Sequence, residues 1–375
     1  MQGHYSNAAI ALAAKLKRWP LLTLIRSLVR WQPMRDPRPG YTLVISCASP
    51  LASMLTANLA AVARQDLTGL ERIIIDFDLP ADMVVVPIEQ RLRADFPDLP
   101  LQFRYFTRPQ MLVTRLIDWA WVYNWICWCD GVAAARTRYV MLHDLDAMPI
   151  KTDYFRQRYE AIRDRKLEFL GTKPYRSHGL IAEDNIMATF ELIFDAAYVR
   201  QHFTPIQMFK KIQMHRGRSV DLDLFLYPQT VDNRRELMGD EHVEDMVHPN
   251  QMISQFTAHV GSRWRSIPPQ TNNLMLIPYY LFLAGERPML AALTRQMQQA
   301  SDGTIELFGR PLNVSSLKAI HAEWLREQAF RLDAAVAREV RPEVRAYFDT
   351  VLALASGGTE GGTSTRKNMQ SLSAG

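Results

Sequence analysis

A chain of 375 residues, 48% hydrophobic and 22% charged, has the composition of an ordinary globular protein and is long enough to bury a large core as one domain or two. Its net charge of +5, from 44 basic and 39 acidic residues, is a mild excess with no dense Lys/Arg stripe interleaved with aromatics. That excludes nucleic acid as the partner and leaves phosphate-bearing substrates or an anionic surface. Three cysteines, Cys47, Cys127 and Cys129, are too few for a disulfide framework and point to a reducing compartment. Cys127 and Cys129 have no second pair to complete a zinc site, so they read as small apolar residues inside an aromatic helix.

The N-terminal stretch from Ala8 to Trp31 alternates apolar residues with Lys15, Lys17, Arg18, Arg26 and Arg30. Pro20 is expected to divide it into two short helices. Such basic amphipathic helices either lie on an anionic bilayer surface or pack as a solvated pair on the domain. Pro33 to Gly40 is a linker by composition. No stretch reaches the roughly 18 apolar residues of a membrane span, and the first residues lack a positive region ahead of their short apolar run. The expected location is cytoplasmic, with peripheral contact at the inner face of the membrane as the further reading.

A regular rhythm then begins. Tyr41 to Cys47 is a strand, Ser53 to Gln65 a helix, Arg72 to Asp76 a strand, Ala81 to Ala94 a helix and Leu101 to Phe106 a strand. Met111 to Ala135 is one long aromatic-rich helix or two, and Arg138 to His143 a fourth strand. Its Trp119, Trp121, Trp125 and Trp128 suit a core at helical spacing better than a sugar platform. Beyond Ile150 the pattern is more mixed. Strands are expected at Leu167 to Gly171 and Met187 to Phe194, a short helix at Asp195 to His202, and either type at Val220 to Tyr227. Helices follow at Ala292 to Ala300 and at Ser315 to Ala355, the latter interrupted near Pro342. The Gly/Ser/Thr-rich residues 356–375 read as a disordered tail. Strands alternating with helices imply an α/β fold with a mostly parallel sheet, and ligands there sit beyond the carboxyl ends of the strands.

At that end of the fourth strand stands Tyr139-Val-Met-Leu-His-Asp144-Leu-Asp146. Alternate residues of an extended chain share a side, so Asp144 and Asp146 converge on one point. Two close carboxylates repel unless a cation lies between them, and oxygen ligands suit Mn2+ or Mg2+, which complete their shells with substrate phosphates.

The segment from Ala133 to Asp146 resembles the DxD segment of GT-A glycosyltransferases, and the resemblance extends at pattern level over Tyr41 to Arg265. Family 2-like members are the nearest pattern. The resemblance implies a GT-A (Rossmann-like) catalytic domain over 41–270, preceded by the basic helices and linker of 1–40 and followed by a helical region, 271–355. It also implies a nucleotide-sugar donor and a glycan, lipid-linked or other hydroxyl acceptor, with transfer expected to invert the anomeric centre.

Ser46, at the end of the first strand, and Asp76 and Asp78, at the end of the second, fall where the family contacts the nucleoside. Asp76-Phe-Asp78-Leu stands here in place of the Asp-Asp-Gly-Ser of family 2. Asn124 occupies a position where that family often has Asn, and Arg136 belongs to the basic pair before the DxD strand. Val220-Asp221-Leu-Asp223-Leu matches the family's Glu-Asp-x-Asp-Leu segment except that Val220 replaces Glu. By that match Asp221 is the expected general base and Asp223 the second matching carboxylate, with Glu183 and Asp184 as rivals. Ala258-His259-Val-Gly261 resembles the His-x-Gly whose His is a third metal ligand, and Arg263 and Arg265 would neutralise the departing phosphate.

Two other readings remain at this point. Haloacid-dehalogenase-like phosphatases also place Asp-x-Asp at a strand end, but here Met148 stands where they carry Thr or Val. A non-catalytic α/β protein that binds a nucleotide or sugar is the third.

Overall fold

The computed structural model describes residues 3–84, 87–231, 233–239, 242, 244–261 and 272–357. In chain order the elements are α1 (Ala8–Ile25), β1 (Arg38–Cys47), α2 (Met54–Ala63), β2 (Leu70–Phe77), α3 (Pro87–Asp95), β3 (Leu101–Tyr105), α4 (Arg108–Ile117), α5 (Ala120–Ala134) and β4 (Thr137–Asp144). There follow β5 (Met148–Pro149), α6 (Tyr154–Asp164), β6 (Phe169–Gly171), β7 (Ile193–Asp195), α7 (Ala196–His202), β8 (Lys211–His215), β9 (Arg218–Leu222), β10 (Arg235–Leu237) and β11 (Met246–Val247). The chain continues through α8 (Met252–Gly261), α9 (Ile277–Leu283), α10 (Pro288–Gln299), β12 (Thr304–Leu307), β13 (Arg310–Asn313), α11 (Ala319–Ala337) and α12 (Pro342–Gly357).

Seven strands form one sheet in the order β10-β6-β7-β4-β1-β2-β3. β3, β2, β1 and β4 run parallel, and β7 joins antiparallel beside β4. The chain winds outward from β1 to β3 and then returns to the other flank of β1 as β4. The order therefore reverses between β1 and β4, which is where doubly wound sheets open a crevice for ligands. Ser46 of β1 is the register partner of Asp144 of β4 at that crevice.

The central strands are apolar on both faces because both are covered. Leu43, Ile45, Ile73, Ile75 and Met141 face one core, shared with α2, α6 and the helices from α9 onward. Val44, Ile74, Val140 and Leu142 face the other, shared with α5 and α7. Residues 274–282 and the buried faces of α11 and α12 belong to the first core, so the C-terminal helices pack onto the sheet's own hydrophobic layer.

Several local readings of the sequence are corrected, and one alternative is decided. Pro20 lies inside one continuous helix, α1. Leu16, whose carbonyl loses its donor there, is solvent-exposed, so water can satisfy it. The strand expected over Met187 to Phe194 is only Ile193–Asp195, and Met187 makes an isolated bridge to Pro174 instead. Met111 to Ala135 resolves into α4 and α5, divided where Asp118 takes a left-handed conformation at φ 45°. The helix expected over Ala81 to Ala94 is realised only from Pro87, as α3; residues 81–84 form a turn and 85–86 lie outside the described set. Residues 356 and 357 still belong to α12, and 358–375 lie outside the described residues.

Gly131 of α5 fixes how closely that helix approaches β1: a Cβ there would lie 2.3 Å from Val44 Cγ1. Gly131→Ala is expected to lower stability by about 1–3 kcal/mol through overpacking, read as a shift in urea midpoint with an unchanged m-value.

Candidate metal centre and cleft

β4 delivers Asp144 at its last residue, partly exposed, and the turn beyond it delivers Asp146, which is buried. Ala147 N–H donates to the Asp144 carbonyl at 3.0 Å and closes that turn. Asn58 of α2, itself buried, holds the turn from below. Its Nδ2 lies 3.2, 3.1 and 3.0 Å from the carbonyl oxygens of Asp144, Leu145 and Ala147, and 3.1 Å from His143 Nε2. The other ring nitrogen of His143 pairs with the buried carboxylate of Glu191. Tyr280 of α9 reaches the Asp146 carbonyl from the C-terminal helices, 3.4 Å away.

Immediately after the turn, β5 pairs antiparallel with β11, Met148 opposite Val247 and Pro149 opposite Met246. The residue after β11 is His248. This two-residue ladder carries its Nε2 to 3.1 Å from Asp144 Oδ2 and 3.6 Å from Asp146 Oδ1. Phe190 stacks on the imidazole at 4.4 Å between ring centres and limits its rotation.

Asp144, Asp146 and His248 each offer one ligand atom, all within 4.8 Å of one another. Burial pushes the Asp146 carboxyl up to about 7, with the Asp144 charge adding to the effect and the His248 charge opposing it. Burial disfavours a charged His248, but the hydrogen bond to Asp144 and the charges of Asp146 and Asp144 outweigh it and raise the ring above its usual value. Protons thus supply the positive charge that two crowded carboxylates need. Two oxygen donors and an imidazole nitrogen fit a divalent cation such as Mn2+ or Mg2+ that would take the protons' place.

His259, the sequence's choice for third ligand, is elsewhere. It sits in α8 and its Nε2 lies 2.8 Å from the Leu307 carbonyl of β12. The signal for His248 was weak: a lone His after two apolar residues, with the ladder to Met148 and Pro149 legible only in three dimensions.

The three donors border a cavity of about 670 Å³ at the carboxyl ends of β1 and β4. Ser46, Asn124, Trp121 and Trp128 line one wall, and the strap Lys173–His178, with Lys210 and Asp223, the other. A second cavity of about 200 Å³ adjoins it, sharing Ser46, Ala48, Ala120 and Asn124 and reaching Asp78, Tyr123 and Phe256.

The remaining expected residues fall as follows. Ser46 borders both cavities and donates from Oγ to Asn124 Oδ1 at 3.2 Å. Asp78 faces the smaller cavity and accepts from Ser49 N at 2.9 Å and Oγ at 2.5 Å; burial nevertheless raises its pKa. Asp76 is fully buried 3.5 Å from Arg104, and burial, with the Asp130 charge adding, raises it well above the carboxylate range. Among the described residues it borders neither cavity. Arg136 is exposed just before β4 begins, at the opposite end of the strand from Asp144, roughly 25 Å away at the usual rise per residue. A phosphate contact from there is out of reach.

The four acidic candidates also separate. Glu183 is exposed, and its carbonyl accepts from Arg216 at 2.5 Å. Asp184 is buried, accepting from Ile181 N at 2.9 Å and pairing with Arg218, which makes it an anchor for the β8–β9 hairpin. Asp221 accepts both ends of the Arg18 guanidinium, at 2.7 and 2.5 Å, and the Tyr5 hydroxyl at 3.2 Å. None of these three borders the cleft. Asp223 does, held by Lys210, the Tyr175 hydroxyl and His178 Nδ1, the last at 3.4 Å. Burial works to raise its pKa, but His178, Lys210 and Tyr175 prevail and hold it at about 2. Arg263 and Arg265 lie outside the described residues.

No family model and no curated protein matches the sequence. Solved structures similar to the chain include glycosyltransferases. The S. aureus TarS fragment 1–349 is 11% identical over 85% of this chain and 92% of its own, at a TM-score of 0.35. The mannosyltransferase PcManGT from Pyrobaculum calidifontis, in complex with GDP-Man and Mn2+, is 14% identical over 93% of this chain and 98% of its own, at 0.32. The galactosyltransferase LgtC, with donor and acceptor sugar analogs, is 11% identical over 44% of this chain and 62% of its own, at 0.34.

Two measurements follow from this geometry. Because a cation must displace protons from Asp146 and His248, Mn2+ affinity is expected to fall below about pH 7 by roughly tenfold per unit for each proton displaced. Calorimetric titration across that range reads it. Asn58→Leu removes the amide beneath the turn and is expected to weaken Mn2+ binding about ten- to hundredfold while the circular dichroism stays native.

Proposed function

We propose that the chain is a divalent-metal-dependent glycosyltransferase that moves a hexosyl group from a nucleotide sugar to a hydroxyl acceptor with inversion. The observation that carries this reading is the convergence of Asp144, Asp146 and His248 at the edge of a large cleft, at the switch point of the sheet. A cation bound by these three would draw the donor's diphosphate and offset its negative charge as it departs.

The smaller cavity beside Ser46, Asn124 and Asp78 has a size and position suited to the nucleoside. Its half-buried polar groups offer hydrogen bonds, and Tyr123 and Phe256 offer apolar surface to a base. The sugar then extends into the larger cleft toward Lys210 and Asp223. Lys210, above the Trp121 ring at 4.1 Å, brings a cation close to that region.

Asp223 is the one expected base that borders the cleft, yet a carboxylate held at about 2 is a weak proton acceptor. His178 is better suited. The Tyr175 hydroxyl lies 2.8 Å from His178 Nδ1 and bonds Asp223 in turn. If the hydroxyl's own proton goes to Asp223, its oxygen accepts from Nδ1–H, which leaves Nε2 as the basic nitrogen. In this reading His178 Nε2 takes the acceptor's proton, while Asp223, through Tyr175, fixes the tautomer. A hydroxyl deprotonated on this side attacks the anomeric carbon from the face opposite the diphosphate, which gives inversion.

The decisive experiment is a donor-hydrolysis screen of nucleotide sugars with Mn2+ and with Mg2+, which needs no acceptor. Asp144→Ala and Asp146→Ala are expected to abolish metal-dependent hydrolysis in a folded protein; full activity of either with the metal chelated would end the reading. Once a donor is known, His178→Gln should lower turnover by about 10²–10⁴-fold with donor affinity little changed. Normal turnover in that variant would place the base elsewhere.

A further inference from the structure

Helix α1 is fixed to the protein along one side only. Ala11 and Ile25 are buried, Arg18 is clamped to Asp221, and downstream Trp31 Nε1 donates to the Phe203 carbonyl at 2.8 Å. On the opposite side Leu12, Leu16 and Trp19 recur at i, i+4 and i+7 and are 57%, 64% and 66% exposed. Three large apolar side chains in line on an outward helix face would be disfavoured in water unless something covers them.

Charge identifies what covers them. From Gly3 to Arg35 the sequence contains no Asp or Glu. Lys15, Lys17, Arg26 and Arg30 are all exposed around the stripe. A second copy of the chain docked face to face would oppose these cations to their own images. An anionic bilayer meets every one of them with opposite charge, takes the leucines into its acyl boundary and suits an indole at headgroup depth.

We propose that the outer face of α1 docks the protein on an anionic lipid surface. The helix is rigidly placed relative to the cleft. Arg18 holds Asp221, whose neighbour Asp223 borders the cavity, and His4 sets its ring edge-on to His178 at 5.1 Å. Docking therefore brings the His178 wall of the cleft near the bilayer. On the transferase reading that wall receives the acceptor, and a lipid-linked acceptor is the class this arrangement serves; the docking itself stands without that reading.

The test is co-sedimentation of the full chain with phosphatidylcholine vesicles made with and without phosphatidylglycerol, over a range of salt. Wild type is expected to pellet with the anionic vesicles, to leave them as salt rises, and to ignore neutral ones. The triple variant Leu12→Ser, Leu16→Ser, Trp19→Ser should lose at least tenfold in vesicle affinity with an unchanged melting temperature. Lys15→Glu with Lys17→Glu and Arg26→Glu should lose the salt-sensitive part. Wild type that stays in the supernatant, or a triple variant that binds like wild type, would overturn the proposal. So would dimers that dissolve in the triple variant without vesicle binding, since a second copy would then cover the face. Donor hydrolysis, followed in parallel without lipid, keeps the fate of the transferase reading separate.

Discussion

Asp144 and Asp146 are held close together at the edge of the cleft, the first partly exposed and the second buried, and their mutual repulsion sets the terms for what surrounds them. Left alone, such a pair would push its strand end apart or stay neutral. The fold answers with rigidity beneath and positive charge beside. Asn58 gathers the carbonyls of the turn, the buried His143–Glu191 pair props Asn58, and His248 brings an imidazole that charges readily. Each support comes from a different part of the chain, so the site forms only when the sheet, α2 and the β5–β11 ladder are all in place.

The same convergence explains why the cleft is where it is. Reversal of strand order between β1 and β4 leaves a gap beyond Ser46 and Asp144, because the chain leaves β1 toward β2 on one flank of the sheet and leaves β4 toward β6 and β7 on the other. The Lys173–His178 strap and the β8–β9 hairpin then wall the far side, and the hairpin's Asp221 is occupied by Arg18 of the N-terminal helix. The N-terminal segment is thus part of the cleft's outer architecture.

What the sequence disclosed follows the range of the forces involved. The parallel core strands were legible because burial on both faces leaves unbroken apolar runs such as Leu43 to Ile45 and Ile73 to Ile75. The convergence of Asp144 and Asp146 was legible because it depends on a two-residue period within one strand end. His248 was not, since its placement depends on a pairing between residues almost a hundred positions apart that spans only two residues. Asp221 looked more catalytic than Asp223 from the motif alone. Which of two alternate carboxylates faces the cleft depends on where Arg18 and Lys210 lie, and no local pattern encodes that. Pro20 misled because the hydrogen bond it deletes, to the Leu16 carbonyl, falls at a solvent-exposed residue of α1, where water can replace it.

The β5–β11 ladder has one more consequence. Everything from α6 to β10, including one flank of the sheet and the strap over the cleft, lies between Asp146 and His248 along the chain. An ion coordinated by both residues would act as a clasp on that long excursion, removing freedom chiefly from the unfolded chain. Loading the metal would therefore register as heat resistance of that whole excursion, before any sugar is present.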